Sequence, residues 1–80
     1  MEKQRFEAML MIIIPDVINE ISKVFGCSEI KATEMFYSST VYSYLEREET
    51  GFWHYSPLML FTLFDEEYRT GTFESPEEAF

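Results

Sequence analysis

Ala8-Met9-Leu10-Met11-Ile12-Ile13-Ile14-Pro15-Asp16 is the stretch on which the fold turns. Phe6, Met9, Leu10 and Ile13 repeat at helical spacing, so residues 3–14 read as a helix with that set on one face. Met11, Ile12 and Ile14 carry apolar surface around the rest of it. A helix that is apolar on all sides is normally central, or buries one side against another chain. The seven apolar residues Ala8 to Ile14 are far short of the ~20 that span a bilayer. Glu2 and Glu7 flank the run and no small-residue cleavage site follows, so a signal peptide is not expected. Pro15 lacks a backbone donor and clashes with the carbonyl four residues earlier. It is expected to break or kink the N-terminal helical region, with Asp16 well placed in the first turn of a new helix.

Beyond Asp16, Val17, Ile18, Ile21, Val24 and Phe25 continue the helical spacing to Gly26, a C-terminal cap. Ser28 reads as the next N-cap, with Ile30, Thr33, Phe36 and Tyr37 as the following stripe. Ser38-Ser39-Thr40 offers another cap, ahead of a short helix with Val41, Tyr44 and Leu45 inward that runs to about Glu48. Glu49-Thr50-Gly51 reads as a turn. Phe52-Trp53-His54-Tyr55 follows as a connection, with a short extended piece the closest thing to a strand. Ser56-Pro57 is a cap followed by proline at the first helical position, and it opens a helix that carries Leu58 to Tyr68 and ends near Gly71. Ser75-Pro76-Glu77-Glu78 has the form of a capping box. The expected fold is all-α: a small compact bundle of four or five short helices. It forms a single helical domain over residues 1–80, with 72–80 a C-terminal tail of at most one helical turn.

Eighty residues make one domain at most. A chain of this size buries roughly 60–65% of its unfolded surface, which leaves little stability in reserve. Aromatic residues, 18% of the chain, offset this because each buries a large area. The net charge is −9, which repels phosphate backbones and anionic membrane surfaces and attracts a basic protein. Cys27 is the single cysteine, so neither an internal disulfide nor a cysteine-based zinc site forms, in keeping with a cytoplasmic location.

Three further chemistries have partial signals in the chain. Residues 17–37, with Gly26 in the turn and Ser28 capping, have the outline of a DNA-binding helix-turn-helix. The second helix would bring Glu29 and Glu34 to the phosphates with no basic arm to compensate. Nucleophilic or small-ligand chemistry would centre on His54, the only histidine, but a lone histidine among many serines carries no specific signal. The acidic runs Glu46/Glu48/Glu49 and Asp65/Glu66/Glu67 lack calcium-loop spacing and read as solvated helix faces. No catalytic residue, cofactor or metal ligand is therefore assigned. Tyrosine and tryptophan are favoured at interfaces, and Trp53, His54, Tyr55, Tyr42, Tyr37, Phe61 and Phe64 are the candidate contact residues.

The stretches Met35-Phe36-Tyr37-Ser38-Ser39-Thr40-Val41-Tyr42 through Leu45 and Glu48-Glu49-Thr50-Gly51-Phe52-Trp53-His54-Tyr55-Ser56 resemble a family of short bacterial proteins. That family shows F-Y-x-S-x-x-Y-x-x-L, then E-E-T-x-x-W-H-x-S, and a C-terminal P-E-E like Pro76-Glu77-Glu78. The resemblance covers most of the chain from Pro15 onward, and W-H-x-S is its most specific part. It implies a small helical component of the kind found beside toxin-like genes in Firmicutes, with no established activity. Phe36, Tyr37, Ser38, Tyr42, Leu45, Thr50, Trp53, His54 and Ser56 would be its signature positions. The expectation is a non-enzymatic, acidic, protein–protein interaction module: an accessory or antitoxin-like partner of a basic protein, or a homodimer. Residues 3–14 and the first two turns of the helix from Leu58 are both apolar nearly all round, more than 80 residues can cover alone, which favours self-association. A helix-turn-helix regulator using residues 17–37, and a ligand or enzymatic role around His54, are the alternatives.

Overall fold

The computed structural model describes residues 2–74. Four α-helices follow one another: α1 (Lys3–Phe25), α2 (Glu29–Tyr37), α3 (Thr40–Leu45) and α4 (Pro57–Thr70). Two single 3-10 turns, Glu48–Thr50 and Phe52–His54, join α3 to α4. The fold is an all-α small bundle, with no strand among the described residues.

α1 is the spine. At 1.5 Å per residue its 23 residues extend about 35 Å, the longest dimension of the molecule, 35 Å. It runs through Pro15 without a break, which corrects the expectation that the proline would divide it. Packing explains the difference. Ile13 on one side of the proline and Val17, Ile18 and Ile21 on the other enter the same core, while Pro15 itself is exposed. The lost rung therefore falls on the solvent side, and burial of both flanks outweighs a cost of about 3 kcal/mol for a proline inside a helix.

α2 packs on α1 and contributes Ala32 and Phe36; α3 adds Val41 and Leu45; α4 adds Leu60, Phe61, Leu63 and Phe64. Phe36 is fully buried, edge-on to Tyr42 and to Phe64 at centroid distances of 5.6 and 6.0 Å. Phe25 closes one end of the core against Phe61, Phe64 and Tyr68. Phe52 gathers Tyr44, Tyr55 and Phe73, so residue 73, past the end of α4, is tied back to the core. The capping box at 75–78 lies outside the described residues.

Helix ends follow local chemistry. Gly26 closes α1 in the left-handed conformation (φ 67°), a position where a Cβ is penalised. The hydroxyls of Ser28, Ser39 and Ser56 accept from the N–H groups of Lys31, Tyr42 and Met59 at 3.0–3.1 Å. Two boundaries differ from the sequence reading. α3 stops at Leu45 rather than near Glu48: the N–H of Arg47 bonds the Tyr44 carbonyl, three residues back instead of four, and the Thr50 hydroxyl reaches back to the carbonyls of Tyr44 and Arg47. Residues 52–54 form a 3-10 turn instead of an extended piece.

The start of α3 has a second, remote cap. The Glu67 carboxylate of α4 accepts from the N–H groups of Thr40 (2.8 Å) and Val41 (3.0 Å). With Ser39 serving Tyr42, the first-turn donors of a six-residue helix are met from outside it.

Candidate functional site

The aromatic connection is built from its backbone up. The Thr50 hydroxyl also accepts from Phe52 N–H at 3.3 Å, which fixes the step from one 3-10 turn to the next. Gly51 (φ 74°) then lets Phe52 turn inward and be buried. Trp53 lies half-buried beside it and donates its indole N–H to the Glu48 carbonyl at 3.1 Å. The exposed His54 ring lies against the indole, with centroids 3.7 Å apart and planes 28° apart. The turn packs on α1 as well as α3. The surface that Trp53 shapes belongs to α1, where it closes an open groove of about 380 Å³ lined by Arg5, Ala8, Met9 and Ile12.

A second open groove, about 340 Å³, lies along the same helix and is lined by Leu10, Met11, Ile14, Pro15 and Tyr37. Tyr37 is half exposed and stacks on Tyr42 at 4.6 Å with planes 16° apart. Burial, with the nearby Glu46 carboxylate and Tyr37, holds the Tyr42 hydroxyl protonated above the ordinary tyrosine range. Stability linked to it is therefore complete below the unfolded tyrosine pKa and declines as pH rises through the raised folded value.

Between the grooves stands the outer face of α1. Met11 is 76% exposed and Ile12 67%, and Met9 is 37% exposed. Ile13, one residue on, is buried. Arg5 and Asp16, both exposed, bracket this apolar strip, and neither has a salt bridge among the described residues.

The candidate contact residues divide into three groups. Phe61 and Phe64 are core residues, and a ring that fills the core is not available to a partner. Tyr55 packs on Phe52 at 5.1 Å. Trp53 and Tyr37 do reach the surface, one in each groove of α1, with His54 and Tyr42 stacked on them. Met9, Met11 and Ile12 were not among the candidates, although the unbroken run 8–14 was their signal.

Elsewhere, of the residues that a helix-turn-helix reading would bring to DNA, Glu29, Lys31 and Glu34 are exposed on α2 and Thr33 is half-buried. No group of three or more His, Cys, Asp or Glu side chains converges among the described residues. No helix among them is long and apolar enough to cross a membrane. Comparison of the chain with protein-family models, with curated proteins and with solved structures returns no match in any of the three.

Proposed function

We propose that the chain is an acidic protein–protein interaction module of the cytoplasm, an accessory or antitoxin-like component, whose contact face is the outer side of α1 with Trp53 and Tyr37 as its walls. The observation that carries this reading is the exposure of Met11 and Ile12, 76% and 67%, at the middle of the longest helix. Two large apolar side chains side by side, with an apolar groove along each flank, are a costly surface to leave in water. The aromatic walls supply the residue types that anchor interfaces. A net charge of −9 over the whole chain steers encounter toward basic proteins and away from nucleic acid.

The test is affinity capture from the native host with the wild-type chain and with Ile12→Asp, both checked for folding by circular dichroism. Ile12 lies outside the core, so the variant keeps its helical spectrum. The reading expects a protein retained in near-stoichiometric amount by the wild type and lost from the variant. Equal retention by both would remove α1 as the contact face.

A further inference from the structure

The arrangement of charge on α1 says which partner fits. At about 100° per residue, Arg5, Met9, Ile12 and Asp16 fall within roughly 60° of arc and form one line along the helix. The line starts with a cation and ends with an anion, and its two middle members are apolar and exposed. A surface of this kind is complementary to itself when reversed. With a two-fold axis level with Leu10 and Met11, a second copy laid antiparallel sets Arg5 opposite Asp16 at both ends. Met9 then stands opposite Ile12, and Ile12 of each copy comes level with the groove that the other builds from Ala8, Met9 and Trp53. A two-fold contact of this sort requires residue i to meet j and j to meet i, and the four positions satisfy it.

Resting on the reading of α1 as the contact face, we propose that its occupant is a second copy of this chain, packed antiparallel along Arg5–Asp16. The two charges of the line cancel, so the copies approach through a strip that adds no net repulsion of its own, whereas the chain as a whole carries −9. Arg5 and Asp16 find no salt-bridge partner within the described chain and gain one each across the axis. The alternatives differ in what they would need. A basic partner would match an acidic line, and α1 offers a neutral one. A parallel copy would set Arg5 against Arg5 and Asp16 against Asp16. The line is about 17 Å long, less than a standard interface of about 800 Å² per partner requires, so the dimer is a weak, reversible one with a Kd on the order of 100 μM.

Sedimentation over roughly 10 μM to 1 mM of the full chain tests this. The wild type is expected to pass from monomer to dimer within that range, and Ile12→Asp to stay monomeric. Arg5→Glu and Asp16→Arg each replace two attractions by two repulsions and are expected to weaken the dimer about tenfold. The double variant R5E/D16R restores it, and so does an equimolar mixture of the two single variants, because both arrangements again set opposite charges across the axis. A wild type monomeric throughout overturns the proposal. If Ile12→Asp still abolishes capture of a host protein in that case, the contact face stands and only the second copy is removed. A dimer indifferent to the charge reversals, or one not restored by the double variant, overturns the antiparallel register.

Discussion

Phe36→Ala is expected to lower unfolding free energy by about 3–5 kcal/mol, the range for removing a fully buried phenylalanine. Phe36 has no exposed surface and is the ring at which α2, α3 and α4 meet, through Tyr42 on one side and Phe64 on the other. Domains of this length have a total of about 4–12 kcal/mol at ordinary per-residue stability. The variant therefore retains little cooperative structure at room temperature. Urea unfolding followed by far-UV circular dichroism measures the loss. Phe36→Leu, which keeps most of the volume, is expected to cost about 1–2 kcal/mol. A loss under about 1 kcal/mol for the alanine variant would mean that the three helices do not converge on this ring.

Glu67→Ala is expected to cost about 2 kcal/mol, far more than an exposed helix glutamate would suggest. Its carboxylate holds two backbone donors of α3, and both are left without a partner when it goes. Charge-assisted bonds contribute about 1.5–3 kcal/mol each when protected, and the exposed Thr40 end calls for a lower figure here. Glu67→Gln keeps one good acceptor and is expected to recover about half the loss. Glu66→Ala is the control, and equal destabilisation by Glu66→Ala and Glu67→Ala would remove the cap. Six residues cannot sustain a helix alone, so α3 is expected to loosen first in the Glu67 variant, seen as loss of chemical-shift dispersion at Thr40–Leu45.

What was legible in the chain was local. Gly26, Ser28, Ser39, Ser56-Pro57 and Gly71 set helix ends through bonds to residues a few positions away, so a linear reading finds them. The features that escaped it depend on partners far along the chain. Asp65-Glu66-Glu67 reads as a solvated acidic run, yet Asp65 pairs with Arg69 at 3.1 Å while Glu67 caps a helix that starts 27 residues earlier. Pro15 reads as a breaker because its cost is local and the burial that offsets it is not. The contact face shows the same division. The run 8–14 announces surplus apolar surface, but that Ile13 turns inward and Ile12 outward depends on where α2 and α4 come to rest. Trp53 was legible as a contact candidate by its residue type, and the helix it lies against was not.

Pro15 has a further consequence for how α1 moves. The helix ladder lacks one rung at the Met11 carbonyl, and N-terminal to that gap only Phe6 and Ile13 are buried. The turns ahead of Ile13 can therefore fray without disturbing Val17, Ile18 and Ile21, and the fraying stops at Ile13, whose burial holds the helix across the proline. Amide hydrogen exchange along α1 should step rather than slope, fast before residue 13 and slow after it. Whatever docks on Met11 and Ile12 must hold those turns in place, so the height of that step is a direct gauge of occupancy at the outer face.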